Sequence, residues 1–137
     1  MTSRRTFLRQ SGAYAAAAAL GPSVYASGAA AASEIEVGVL FSLTGGLSII
    51  EQSLADATLM AIDEINKAGG VNGMMIKPIL EDGASDPKTY NEKASKLVIK
   101  NRVPTVFGSY TSASRKAVLP VFEKRKNLYF YPTYYEG

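Results

Sequence analysis

The sequence predicts an α/β domain in which a parallel sheet is covered by helices on both faces. Apolar runs of strand length alternate with segments of helical periodicity, at roughly 25–30 residues per unit. The runs are almost continuously apolar, which is typical of strands buried on both faces. Turn-forming Gly, Asn and Pro residues separate the segments. The predicted order is β-α-β-α-β-α-β over residues 34–137, which is one domain of ordinary size.

The first two predicted strands flank an amphipathic helix. Residues 35–41 form an apolar run with β-branched residues, which predicts the first strand. Apolar residues then recur at helical spacing over residues 51–67, and Gly69-Gly70 follows at the position where a left-handed residue commonly ends a helix. The second strand is expected at residues 75–80, entered through a turn at Asn72-Gly73.

Two further helix–strand units complete the pattern. The second helix is expected to start at Asp86-Pro87, with aspartate as the N-cap and proline at the first helical position. Ser112 is the expected N-cap of a third helix that ends near Lys126. Pro120 lies inside that helix and is expected to kink it, because proline removes a backbone hydrogen bond. The third and fourth strands are predicted at residues 104–107 and 128–131.

The first 33 residues have the composition of an export signal. Arg4 and Arg5 precede Phe7-Leu8, in close agreement with the twin-arginine consensus, and an alanine-rich apolar run follows at residues 13–20. That run is too short to span a bilayer. We therefore expect residues 1–33 to be a signal peptide that the twin-arginine (Tat) translocase recognises, and the mature protein to be periplasmic. The alternative is a disordered basic arm on a cytosolic protein.

The composition excludes several functional classes. The whole chain carries 15 Lys+Arg and 12 Asp+Glu, but three of the arginines precede residue 34, so residues 34–137 are neutral and no nucleic-acid partner is expected. The chain has no Cys and no His, which rules out a disulfide framework, a histidine metal site and a Ser-His-Asp hydrolase. No cofactor and no metal are predicted.

A ligand of such a sheet is expected beyond the carboxyl ends of its strands, where successive helices diverge. The loop after the third strand is the richest in polar groups. It places Tyr110, Thr111 and Ser112 at a helix N-terminus, whose N–H groups attract carbonyl oxygens and carboxylates. The loop after the fourth strand adds Tyr131 and Thr133, beside further tyrosines. Ordinary capping by Ser112, and packing of the tyrosines against another lobe, remain as alternatives. The other loops at this edge are residues 42–48 and 83–86.

Five segments of the chain carry a resemblance to a known family: Val37–Gly45, Ala68–Gly73, Glu81–Pro87, Phe107–Glu123 and Tyr131–Gly137. They resemble the type I periplasmic solute-binding proteins of the leucine-binding family, which serve ABC transporters. The resemblance extends over essentially all of residues 34–137, and its last part is similar to the branch that binds urea and short-chain amides.

The resemblance implies a binding protein and not an enzyme. In the amide-binding relatives, a Tyr and a Ser after the third strand and a Tyr and a Thr after the fourth hold the ligand. The corresponding residues here are Tyr110, Ser112, Tyr131 and Thr133, with Thr111 beside the first pair. Hydroxyls and backbone N–H groups satisfy a neutral amide without burying a charge. The implied ligand is therefore urea or a small neutral amide, and the implied partner is the membrane permease of an ABC transporter.

Members of that family are considerably longer and close a second lobe over the ligand by hinge motion. The resemblance therefore implies that residues 34–137 are the N-terminal part of the first lobe of a longer protein. The contacts that a second lobe would make with the ligand have no counterpart among these residues.

Three alternative functions remain open from the sequence. A branched-chain amino acid is the second ligand class, since its α-carboxylate also suits hydroxyls and backbone donors after the third strand. A sensor that reports amide occupancy to a membrane receptor would have the same first lobe. A hydrolase would need Ser112 and Lys116 as nucleophile and base, four residues apart on one helix. That lysine, beside Arg115 on an exposed turn, lacks the burial that would make it a base.

Overall fold

The computed structural model describes residues 34–133. The predicted signal peptide (residues 1–33) and the end of the predicted fourth loop (residues 134–137) lie outside the described residues. Among residues 34–133, no helix is both long enough and apolar enough to cross a membrane.

Four parallel strands form the sheet of the described residues, in the order β2-β1-β3-β4, so the predicted parallel α/β fold is confirmed. Pro78 lies in an outer strand, where its missing N–H costs the sheet least. Gly108 allows the two central strands to approach closely, since a Cβ there would lie 2.0 Å from the Leu40 carbonyl oxygen. The strands are β1 (Glu34–Phe41), β2 (Met75–Asp82), β3 (Thr105–Gly108) and β4 (Leu128–Phe130).

Three α-helices connect the strands: α1 (Ser48–Lys67), α2 (Pro87–Ser95) and α3 (Ser112–Arg125). The predicted caps of α2 are confirmed, because Asp86 accepts a hydrogen bond from the Thr89 N–H at 2.8 Å and Pro87 is the first helical residue. Sequence analysis did not predict the π-helical segment, Lys96–Asn101, that continues α2. The C-cap of the segment is Arg102, whose backbone has the left-handed conformation that residues other than glycine seldom adopt.

Apolar side chains on the two faces of the sheet form two separate clusters. On one face, Val37, Val39 and Phe41 of β1 pack against Ala55 and Ile62 of α1. On the other face, β1 and β3 pack against α2, the π-helical segment and α3. This second cluster contains the buried residues Leu40, Tyr90, Ala94, Leu97, Val98, Val103, Val106, Val118 and Phe122. Helices therefore cover both faces of the sheet, as predicted.

Some predicted boundaries are wrong by one to three residues. Helix α1 starts at Ser48, earlier than residue 51, because the turn at Leu47 already has helical backbone angles. Strand β2 extends to Asp82, since β1 pairs with it to its end. Strand β4 stops at Phe130, so that Tyr131 belongs to the following loop. Helix α3 runs through Pro120 to Arg125.

Candidate functional site

The strand order puts the point where successive helices diverge, here named the crevice, between the carboxyl ends of β1 and β3. The chain goes from β1 through α1 to β2 on one side, and from β3 through α3 to β4 on the other. Because α1 and α3 pack on opposite faces of the sheet, the loops that lead into them diverge at this point. Such a divergence is where open parallel sheets bind their ligands. The two bordering segments are residues 42–47, here named the β1–α1 loop, and residues 109–111.

The structure brings the predicted residues of the third and fourth loops together. The Tyr131 hydroxyl donates to the Tyr110 carbonyl oxygen at 2.5 Å, and the Thr133 hydroxyl donates to the same oxygen at 3.2 Å. The loop after β4 is thereby attached to the loop after β3. Both side chains stay half-buried beside the crevice.

The predicted N-cap of α3 is wrong by one residue. Thr111, not Ser112, has the extended backbone of an N-cap, and its hydroxyl accepts a hydrogen bond from the Ser114 N–H at 3.1 Å. Ser112 is instead the first helical residue. This assignment gives the capping function to Thr111 and places Ser112 at the opening of the helix, where backbone N–H groups favour an anionic or carbonyl ligand.

The loop before α3 has a constrained backbone. Ser109 is fully buried and has a φ of 65°, which is the left-handed region that residues other than glycine seldom adopt. Its N–H donates to the Leu40 carbonyl oxygen at 2.9 Å, which holds the loop against the end of β1. Backbone strain of this kind is concentrated at binding and active sites.

Two tyrosines, one in β4 and one directly after it, contact the end of β3 and the segment that follows it. The Tyr129 hydroxyl donates to the Gly108 carbonyl oxygen at 3.1 Å, and burial raises the pKa of this phenol above its ordinary value. The Arg115 guanidinium lies 5.5 Å from the centre of the Tyr131 ring, within the range of a cation–π contact. Arg115 is a cationic side chain close to the predicted ligand residues, and sequence analysis did not select it.

Asp82 joins the β1–α1 loop to the loop after β2. Its carboxylate accepts hydrogen bonds from the Leu43 N–H and the Ala84 N–H, both at 2.8 Å, and from the Thr44 hydroxyl at 2.7 Å. Burial alone would raise the pKa of Asp82, but these donors outweigh burial and hold its pKa below the ordinary value. The ionised carboxylate of Asp82 therefore holds the two loops together by accepting hydrogen bonds from both.

Sequence analysis missed a buried carboxylate in the first turn of α1. Glu51 is fully buried, and it accepts hydrogen bonds from the Ser42 N–H at 2.7 Å and from the Tyr90 hydroxyl. Burial, and then the bond to Glu51, raises the pKa of Tyr90 well above the ordinary value for a phenol. No local signal marks Glu51, because an acidic residue in the first turn of a helix is usually solvent-exposed and its partner Tyr90 is 39 residues away in the sequence.

The described residues contain no group of three or more acidic, His or Cys side chains arranged to hold a metal ion. Lys116, the candidate base of the hydrolase hypothesis, is exposed. An apolar cavity of about 410 Å³ lies between α1 and the sheet, and none of the predicted ligand residues lines it.

Comparison with known proteins places the chain in a family. The family model for the periplasmic binding protein domain matches residues 35–137. The leucine-, isoleucine-, valine-, threonine- and alanine-binding protein of Pseudomonas aeruginosa is 34% identical over 116 residues, covering 85% of this chain and 31% of that protein. The Leu/Ile/Val-binding protein homolog 8 of Brucella abortus is 33% identical over 103 residues, covering 69% of this chain and 25% of that protein. The chain thus spans less than a third of the length of these relatives.

Solved structures show the same relationship. The branched-chain amino acid transporter substrate-binding protein of Streptococcus pneumoniae, in complex with isoleucine, superposes with a TM-score of 0.74 at 26% identity. The superposition covers 77% of this chain and 30% of that one. A putative branched-chain amino acid ABC transporter protein from Rhodospirillum rubrum gives a TM-score of 0.69 at 25% identity, over 73% of this chain and 29% of that one.

Proposed function

The chain belongs to the periplasmic binding protein family, in its leucine/isoleucine/valine-binding group, and from this we propose that it contributes to the substrate-binding component of an ABC transporter. In this proposal it binds a small solute outside the cytoplasm and works with a membrane permease, without chemical conversion of the ligand. Export by the twin-arginine pathway is part of the proposal and is supported by Arg4 and Arg5.

We propose a branched-chain amino acid as the ligand. Two relatives carry this choice: one is named for binding leucine, isoleucine, valine, threonine and alanine, and the solved structure of the other contains bound isoleucine. The geometry of the crevice is compatible with it, because the N-terminus of α3 offers backbone N–H groups to an α-carboxylate. Thr133 and Ser112 supply hydroxyls beside that position.

Urea or a short-chain amide is the second candidate, and one feature of the crevice favours it. An amino acid also needs a partner for its ammonium group. The carboxylates near the described crevice, Asp82 and Glu51, already accept hydrogen bonds from the surrounding loops. A neutral amide would need no such partner, and the tyrosine-rich end of the chain resembles the amide-binding branch.

Saturation-transfer difference NMR on the 137-residue chain tests the proposal, because the method detects weak binding. Isoleucine, leucine, valine, urea, formamide and acetamide are presented one at a time at millimolar concentration, and D-isoleucine serves as the matched control. We expect signal transfer to the L-amino acids and not to D-isoleucine. Transfer to the amides alone would replace the proposed ligand with the second candidate. The absence of transfer to every compound would overturn the proposal that this chain carries a solute site.

A further inference from the structure

Glu51 lies outside the set of residues expected to touch a solute, yet it is one of the largest fully buried side chains of the described residues. A carboxylate is removed from water at this position only at a considerable cost in free energy, unless hydrogen bonds compensate for it. Its two oxygens accept from the Ser42 N–H at 2.7 Å, from the Ser42 hydroxyl at 3.1 Å and from the Tyr90 hydroxyl. The cost is therefore compensated by donors from the β1–α1 loop and from α2.

Ser42 is the residue through which this carboxylate acts on the crevice. It is fully buried at the point where β1 ends and the β1–α1 loop begins. Its hydroxyl also accepts from the Ser85 N–H at 2.9 Å. Ser85 in turn donates its hydroxyl to the Thr44 carbonyl oxygen at 3.0 Å and accepts from the Leu47 N–H at 3.0 Å. The hydrogen bonds around Glu51 thus continue into the middle of the β1–α1 loop.

The Tyr90 ring packs against the backbone of Gly83, and its hydroxyl joins this network. A Cβ at residue 83 would lie 2.4 Å from atoms of the Tyr90 ring, so only glycine leaves space for the phenol in its present place. The Tyr90 hydroxyl lies 3.0 Å from the Ser42 hydroxyl and donates to Glu51. Helices α1 and α2, which cover opposite faces of the sheet, are therefore joined by a polar contact at the end of β1.

We propose that Glu51 is a positioning residue for the solute site, holding the β1–α1 loop at the side of the crevice through Ser42 and Tyr90. The inference rests on the proposed function, since the loop matters for binding only if the crevice binds a solute. Without the carboxylate, the Ser42 N–H and the Ser42 hydroxyl lose their acceptor, and the Tyr90 hydroxyl keeps only the Ser42 hydroxyl, 3.0 Å away, as a partner. The loop then samples positions in which those groups reach water, and fewer molecules present the arrangement that the ligand requires.

The experiment compares four forms of the 137-residue chain: wild type, Glu51→Leu, Glu51→Gln and Glu81→Leu. Leucine removes both acceptor oxygens at similar volume, whereas glutamine keeps one acceptor for the Ser42 N–H. Glu81 is the matched control, because it is also a buried carboxylate but pairs with Lys93 at 3.0 Å and with Lys96, away from the β1–α1 loop. Amide hydrogen exchange and the dissociation constant for isoleucine, from an NMR titration, are measured for each form.

We expect Glu51→Leu to accelerate exchange of the Ser42 and Ser85 amides by about tenfold relative to amides inside β1, and to weaken isoleucine binding by a similar factor. Glu51→Gln should retain most of the wild-type amide protection and isoleucine affinity. If Glu51→Leu does not fold, Glu51→Gln must still show faster exchange and weaker binding than wild type, by a smaller factor. Glu81→Leu should lower overall stability while leaving both readouts at the wild-type value.

The outcomes separate this inference from the proposed function. If wild type binds isoleucine and the Glu51 variants bind it equally well, the positioning inference is wrong and the proposed function stands. Unchanged exchange at Ser42 and Ser85 would also overturn the inference, whatever the affinity. If wild type binds neither an amino acid nor an amide, the proposed function fails and the positioning function fails with it, while the exchange data still show whether Glu51 fixes the loop.

Discussion

Substitution of Thr111 by alanine tests the corrected N-cap of α3. In the structure the Thr111 hydroxyl accepts from the Ser114 N–H at 3.1 Å, and the alanine variant leaves that N–H at the helix start without this acceptor. The variant also loses the contact between the Thr111 and Ser114 hydroxyls at 3.0 Å, whereas the Ser114 hydroxyl keeps its bond to the Thr111 carbonyl oxygen at 2.9 Å. A lost N-cap costs about 1 kcal/mol of unfolding free energy. For a domain of this size, that change lowers the melting temperature by roughly 4–8 °C.

Guanidinium chloride unfolding, followed by far-UV circular dichroism, measures this change. Urea is unsuitable as the denaturant because it is itself a candidate ligand. Thr111→Ser is the matched control, since serine keeps the hydroxyl and is an equally good N-cap. We expect Thr111→Ser to retain most of the stability that Thr111→Ala loses. If the two variants were equally destabilised, the methyl group and not the hydroxyl would be responsible, and the N-cap assignment would be refuted.

Three further substitutions test the core, the sheet and the pH dependence. Phe122→Ala removes a buried ring whose centre lies 4.5 Å from that of Tyr129. It should lower the unfolding free energy by about 3–5 kcal/mol in the same denaturation assay, and wild-type stability would contradict the packing. Gly108→Ala should prevent the pairing of β1 with β3 and yield no cooperative thermal transition, because its Cβ would collide with the Leu40 carbonyl oxygen. Burial alone would raise the pKa of Glu81, but hydrogen bonds from Lys96 and Lys93 outweigh burial and lower it. The stability that Glu81 contributes is therefore present above its unfolded-state pKa of 4.5, and it is lost as the pH falls through the lower folded-state pKa. Glu81→Gln should therefore flatten the fall in melting temperature on acidification, and an unchanged pH profile would show that this carboxylate does not contribute.

The strands, the helices and their parallel order could be predicted from the sequence because local signals agree with one another. The Asp86-Pro87 start of α2 is one example, since both residues favour the same position for independent reasons. The Asn72-Gly73 turn is another, because both residues have the positive φ that such a tight turn requires. The predicted ligand residues of the third and fourth loops also meet in space, as the common direction of parallel strands requires.

Other features depend on tertiary contacts that no local pattern reports. Thr111 and Ser112 are adjacent hydroxyl residues with similar preference for the N-cap, and only the backbone angle at Thr111 distinguishes them. The π-helical segment at Lys96–Asn101 could not be predicted, because its amino-acid composition does not differ from that of an ordinary α-helix. Glu51 had the appearance of an ordinary surface glutamate at a helix start, because its partners Ser42 and Tyr90 are distant in the sequence. The ligand class could not be predicted from the hydroxyls of the two loops, because they suit an amide and a carboxylate alike, and the relatives favour amino acids over the amides predicted from the last segment.

The central claim is that a small solute binds between the carboxyl ends of β1 and β3. Backbone amide chemical shifts of the 137-residue chain, recorded by two-dimensional ¹⁵N NMR with and without isoleucine, test this location directly. We expect shifts concentrated at residues 42–48, 109–113 and 131–133. Shifts concentrated instead around the apolar cavity under α1, at Thr58, Ile62 and Phe107, would contradict the assignment of the site.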